Sequence, residues 1–184
     1  LSIVQQDCGA IAMTEMKAVA VQTVLLERND WVPNNPRLPV LIYPKPIAIK
    51  GNDPAALFEQ TFSANGWPPQ WRYGIYDYHH YHTEGHEVLG IAGGHARLML
   101  GGPNGHEIDV SAGDVLLLPA GTGHCNLGSS ADFLVVGAYP PGQHADICRD
   151  APSREQLQRI EKLPFPESDP VQGHEGAVRQ YWDE

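Results

Sequence analysis

Two stretches decide how this chain is read: WRYGIYDYHHYHTEGHEVLGIAGG at 71–94 and GDVLLLPAGTGH at 113–124. In the first, short apolar or alternating runs are cut by glycines, and four of the nine histidines of the chain fall within HHYHTEGH. Side chains alternate between the two faces of a strand, so His80 and His82 point one way and His79 and Tyr81 the other. Glu87 follows a short turn and opens the run HEVLG, from which its carboxylate reaches the same side, while His86 faces away. The second stretch reads as a buried strand, a proline–glycine turn, and His124 at the start of the returning strand. Such a hairpin brings His124 opposite the first pair. His80, His82, Glu87 and His124 are thus candidate ligands of one divalent metal ion, which imidazole nitrogens and carboxylate oxygens bind at about 2.0–2.2 Å.

The texture around these motifs is uniform. HARLMLGG, HEIDVSAG and DFLVVGAYP continue the pattern of short strands separated by turn residues, as expected for an all-β sandwich or barrel. Upstream, KAVAVQTVLL (17–26) is predicted as a strand and NDWVPNNPRLP (29–39) as irregular. PVLIYPKPIAI (39–49) is predicted as an edge strand, because Pro44 and Pro46 cannot donate to a ladder. DPAALFEQTFSAN (53–65) carries a helix start, with Asp53 as cap, Pro54 at the first position and Leu57, Phe58 and Phe62 on one face. SREQLQRIEKL (153–163) is a second helix capped by Ser153. The proline- and glycine-rich tail 164–184 is expected to lie extended on the surface. The organisation is an N-terminal extension over 1–16 and one domain over 17–184, with a barrel core at about 71–140 and a C-terminal helix and tail over 152–184.

Composition narrows the partners. Of the 184 residues, 42% are hydrophobic, enough for a core without disulfides. The net charge of −10 repels phosphate backbones and anionic lipid surfaces, which argues against nucleic acid and membranes as partners. There is no apolar run of about 18 residues, and LSIVQQDCGAIAMTEMK does not read as a signal peptide. Cys8, Cys125 and Cys148 are odd in number and form no CxxC, so they read as free thiols of a reducing, cytoplasmic compartment.

Alternation also assigns the pocket walls. Tyr76 and Tyr78 share the face of His80 and His82. Tyr78 is the candidate catalytic group, able to donate a proton or hold a substrate oxygen, or alternatively to fill the barrel. Leu89, Leu98 and Leu100 are candidates for the wall, with core packing the easier reading; Trp67 and Trp71 read as anchors, and Gln143, His144 and Asp146 can close the mouth. His95 and His106 read as surface residues, and Cys125 should face outward. No residue is assigned to an organic cofactor.

The spacings carry a resemblance. Gly74, five residues, His80-x-His82, four residues, Glu87, six residues and Gly94 form one motif; Gly113, five residues, Pro119-x-Gly121, two residues and His124 form another. Both are similar to the signature motifs of the cupin superfamily. One position departs: the second motif commonly closes on an asparagine four residues after its histidine, where this chain has Gly128. LPVLIYPKPI, SAGDVLLLPAGTGH, LVVGAYPPGQHADICR and SDPVQGHEGAVRQYW narrow the resemblance to the YjlB-like single-domain cupins, over residues 35–184.

The resemblance implies a jelly-roll (double-stranded β-helix) barrel with one or two short flanking helices and a metal inside. It also implies a homodimer formed through edge strands or exchanged terminal segments, for which 39–49 and the Trp182 tail are candidates. Three imidazoles and one carboxylate suit Fe, Mn, Ni or Zn, and Co and Cu as well. Four protein ligands leave positions open for a small organic substrate. The leading expectation is a metal-dependent oxygenase of dioxygenase type. A metal-dependent isomerase, epimerase or lyase and a non-catalytic small-molecule-binding protein are the alternatives.

Overall fold

The computed structural model describes residues 20–182. Cys8 and the extension 1–16 lie outside them. Among the described residues the strands are β1 (Gln22–Val24), β2 (Val40–Tyr43), β3 (Pro69–Tyr73), β4 (Glu87–Gly93), β5 (His95–Leu100), β6 (His106–Ser111), β7 (Val115–Leu118), β8 (His124–Ser129) and β9 (Leu134–Ala138). The helices are α1 (Pro54–Ala64), α2 (Arg154–Lys162) and α3 (Ala177–Tyr181). The strands form two antiparallel sheets, one in the order β1-β2-β7-β4-β9-β3 and one in the order β6-β5-β8. This is the mostly-β architecture expected from the strand pattern, in the jelly-roll form that the resemblance implies. No helix of the described residues is long and apolar enough to cross a membrane.

The central strands of the large sheet, β2, β7, β4 and β9, are buried on both faces, which explains the unbroken apolar run of β7. Leu116 and Leu118 point between the sheets, where they join Val40, Leu89, Ile91, Leu98 and Val135. Val115 and Leu117 point outward into a second cluster, with Phe58 and Phe62 of α1 and with Trp182. Strands buried on both faces read as continuous hydrophobic runs. Helix α1 begins as its sequence predicts, the Asp53 side chain accepting from Ala56 N at 3.3 Å, with Pro54 next. It packs directly on the sheet at Gly90, where a β-carbon would overlap the Phe58 ring. Ser153 and Gln156 form a reciprocal capping box at α2.

Several expectations are corrected. The strand predicted at 39–49 ends at Tyr43 and is not an edge: β1 pairs with it on one side and β7 on the other, and both prolines fall after its end. Of the described part of 17–26, residues 20–26, only Gln22–Val24 is strand. The segment carrying His80 and His82 is not a full strand; it is held by isolated bridges, His80 to His124 and Tyr81 to Cys148. Cys125, expected outward, is buried with its thiol 3.7 Å from the Asn126 carbonyl.

The tail does not lie extended on the surface. It forms α3, a third helix, and buries Val171, Val178 and Trp182 against the large sheet. Trp182 Nε1 donates to Pro39 O at 2.9 Å. Asp169, itself buried, accepts from the Tyr43 hydroxyl at 2.6 Å and from the amides of Val171, Gln172 and Val178. Both segments proposed for exchange between subunits are thus used within the chain.

Candidate metal centre

The two sequence motifs are joined backbone to backbone. His124 N donates to His80 O at 2.9 Å, His80 N to His124 O at 3.3 Å, and Gly121 N to His82 O at 2.7 Å. Glu87, the first residue of β4, pairs with Leu118, the last of β7, from which the PAGTG turn leads to His124. Three elements far apart in sequence thereby meet at one point between the sheets.

Three of the four candidate ligands, His80, His82 and His124, converge there, Glu87 meets two of them, and all four are buried. A ligating nitrogen from each of His80, His82 and His124 lies within 4.8 Å of the other two. The Nε2 atoms of His82 and His124 each stand 3.2 Å from Glu87 Oε2. The opposite ring nitrogens fix the tautomers. His80 Nδ1 is 3.0 Å from Tyr78 O, His82 Nδ1 2.6 Å from Asp146 O, and His124 Nδ1 3.0 Å from Thr122 O. A carbonyl only accepts, so each Nδ1 carries the proton in a neutral ring and each Nε2 presents its lone pair to the centre. Second partners of this kind orient metal-binding histidines.

Glu87 is held in the same manner. Tyr139, just past the end of β9, donates its hydroxyl to Glu87 Oε1 at 2.6 Å, and Trp71 Nε1 donates to the Tyr139 oxygen at 2.8 Å. Trp71 reaches it by lying over Gly137, its partner across the sheet, where a β-carbon would overlap the indole. One carboxylate oxygen is used; Oε2 remains, aimed at the imidazoles. Buried Glu87 Oε2 and His82 Nε2 have no hydrogen-bond partner. Buried polar atoms are nearly always satisfied, so two orphans facing each other fit a bound cation.

Protonation follows the same geometry. Burial, with the neighbouring His124, drives His80 down to about 3. Burial also acts against protonation of His82, but the Glu87 carboxylate outweighs it and holds His82 above its ordinary value. Burial pushes Glu87 up, yet the adjoining His82 and His124 imidazoles keep it well below the usual carboxylate range.

A cavity of about 520 Å³ opens from this point, with Ile75, Leu89, Trp71 and Tyr76 in its walls. Tyr78 does not line it. Its ring stacks on Tyr76 with centroids 4.8 Å apart, and Arg149 covers it at 3.9 Å. Leu98 and Leu100 sit in the core, not in the wall. Trp67 is an anchor, donating to Ser168 O at 2.8 Å. His95 and His106 are exposed.

The residues expected at the mouth have other duties. Gln143 Oε1 accepts from His86 N at 3.0 Å. The Asp146 carboxylate accepts from Thr83 N at 2.7 Å, Thr83 Oγ1 at 2.6 Å and Glu84 N at 2.9 Å, which holds its carbonyl against His82. His144 Nε2 meets Glu84 at 2.5 Å. His86 faces away from Glu87 as expected: its Nδ1 accepts from Ala120 N at 3.0 Å and its ring packs on Trp182. At the closing position of the second motif, Gly128 N donates to Asn126 Oδ1 at 2.9 Å, so Asn126 supplies the polar turn contact from two residues earlier. Sequence reasoning passed over Tyr139 as a neighbour of Glu87. Only its inward phase in DFLVVGAYP hinted at it.

The fold and site define a two-sheet β protein with a buried three-histidine cluster suited to a metal ion. The chain belongs to the YjlB family: it is 33% identical to YjlB of Bacillus subtilis (strain 168), described as an uncharacterized protein, over 163 residues that make up 88% of this chain and 96% of that one. No family model matches the chain. The solved structure of Streptomyces albus HEPD, with 2-hydroxyethylphosphonate and Fe(II) bound, aligns at 10% identity and a TM-score of 0.27. That alignment covers 72% of this chain and only 22% of the other, too loose a likeness to carry an argument.

Proposed function

We propose that this protein is a cupin-superfamily enzyme holding one divalent metal ion through His80, His82, His124 and Glu87, and that it is an oxygenase of dioxygenase type acting on a small organic molecule. One observation carries the reading: three imidazole lone pairs and one free carboxylate oxygen are buried together, two of these atoms without a partner, each ring locked by a carbonyl. When bound, a redox-active ion there supplies Lewis acidity and electron transfer. The residues around it do the rest. Tyr139 and Trp71 keep Glu87 in its rotamer, Asp146 orients His82, and the apolar walls exclude water from the centre.

An oxygenase is favoured over an isomerase or lyase because the tyrosine hydrogen-bonded at the centre is not free to carry a proton. Tyr139, the tyrosine closest to the centre, spends its proton on Glu87 and is pushed far above its ordinary value by burial and by that carboxylate. Tyr78 lies outside the cavity lining. The free thiols of Cys125 and Cys148 support a reducing, cytoplasmic setting, and the family resemblance supports a homodimer.

Metal analysis of protein purified without a chelating tag tests the site, with about one ion per chain expected and a sharp loss in His82→Ala. Unchanged occupancy in that variant would overturn the ligand assignment. Oxygen uptake by Fe(II)-, Mn(II)- and Ni(II)-loaded protein over a substrate panel tests the reaction. Turnover without oxygen would establish the isomerase or lyase instead, and a tightly held ligand recovered unaltered would establish a binding protein.

A further inference from the structure

A second cavity, of about 380 Å³, lies between the segment 33–38 and α2 with the loop that follows it. It shares no lining residue with the cavity at the histidine cluster. We propose that it is a small-molecule site of its own, for a monocarboxylate with an apolar body and an uncharged acceptor oxygen at its far end. Each part of that ligand answers one observation. The first is apolar surface left open. Leu157 and Phe165, 41% and 42% exposed, line the cavity together with Leu38, Ile160 and Leu163. Large apolar side chains gathered in a concave, open lining mark a binding site. The volume is at the lower end for such sites and suits one ring with a short chain.

The second observation is an unsatisfied donor at the buried end. His86 lines the cavity, and its Nδ1 accepts from Ala120 N. A ring nitrogen that accepts carries no proton, so Nε2 holds it. With Nδ1 on Ala120 and the ring against Trp182, the edge bearing Nε2 is left for the cavity. Buried Nε2 has no hydrogen-bond partner among the described residues, a rare condition. Asn34 and Asn35, the other buried polar side chains of the lining, are already engaged. Asn35 donates to Ala120 O and accepts from Leu38 N; Asn34 donates to Gly101 O and accepts from Gly123 N. One neutral donor suits an uncharged oxygen, since a carboxylate buried there would lack a counter-charge.

The third is charge at the rim. Arg28 and Arg37 are exposed, and among the described residues neither guanidinium pairs with a carboxylate. Arg37 lies over the Phe165 ring at 5.5 Å, and Arg28 reaches only Asp30 O at 3.5 Å. Glu161, also exposed, is the one acid in the lining, so the two cations outnumber it in a chain of net charge −10. A carboxylate on Arg37 gains charge-assisted hydrogen bonds while the apolar body covers Phe165 and Leu157.

Calorimetric titration of the whole chain with para-hydroxyphenylpropionate tests the site. The acid should bind. Phenylpropionate, which lacks the far oxygen, and para-hydroxyphenylpropanol, which lacks the charge, should each bind about tenfold more weakly. Arg37→Gln changes an exposed side chain and should keep the wild-type melting temperature. It should weaken the acid about tenfold and bring acid and alcohol to nearly equal affinity, which a loss of folding would not do. A chelator should leave the affinity of wild type for the acid unchanged, which separates this site from the metal centre. No binding of the acid, equal binding of either analogue to wild type, wild-type affinity in Arg37→Gln, or loss of binding with the chelator would each overturn the proposal.

Discussion

At the scale of single residues, the site is decided by what stands behind each ligand. Tyr139 is the clearest case, because Glu87 has a committed oxygen only while the Tyr139 hydroxyl donates to it. Tyr139→Phe removes that bond without changing the ring. It should weaken metal affinity about 10–100-fold, the usual cost of losing such a partner, as read by competition with a chromophoric chelator. Asp146 is the second case. Burial raises its carboxyl, but hydrogen bonds from Thr83 outweigh this and hold it below its ordinary 3.8. A carboxyl lowered in the folded state stabilises fully above its ordinary value and loses that contribution as the pH falls through the folded one. Urea midpoints across the acid range should thus fall more steeply in wild type than in Asp146→Asn, with the gap closing below 3.8. The candidates His80, His82, Glu87 and His124 were legible from strand alternation and motif spacing. Tyr139 and Asp146 were not, because each meets its partner across more than fifty positions of chain.

At the scale of elements, local signals and tertiary cover part company. Asp53-Pro54 and the Ser153–Gln156 box place α1 and α2 correctly, since a cap depends on neighbours three residues away. The tail fails the same reading. Its prolines and glycines speak only for the absence of long regular structure, yet Trp182 finishes 2% exposed, inserted beside β2 and against His86. Trp182→Ala should cost about 3–5 kcal/mol, measured as a drop in unfolding free energy in urea, because it opens a cavity and orphans the Pro39 carbonyl. A surface tail would give a change near zero. Tyr43→Phe leaves Asp169 short of one buried donor and should cost about 1–3 kcal/mol in the same measurement.

At the scale of the whole molecule, an ion bound between the two sheets would add to their cohesion. His80, His82, Glu87 and His124 come from segments tied to both sheets, and bound metal should stabilise the fold by mass action. At a hundredfold excess over Kd the gain is about 2.7 kcal/mol. For a chain of this size that gain raises Tm by about 5–10 °C, and a chelator should reverse it in differential scanning fluorimetry. An unchanged Tm would mean that the ion does not bind at the centre. What the sequence determined by itself was local: alternation and spacing named the candidate ligands, the strand-rich fold and the capped helices, since each depends on residues a few positions apart. What only the tertiary structure decided was pairing. It covered β2 with β1, folded the tail under the sheet, set Tyr139 on Glu87 and Asp146 on His82, and took Tyr78 out of the cavity. Those contacts join distant segments, and strand order and packing choose them where no local pattern does.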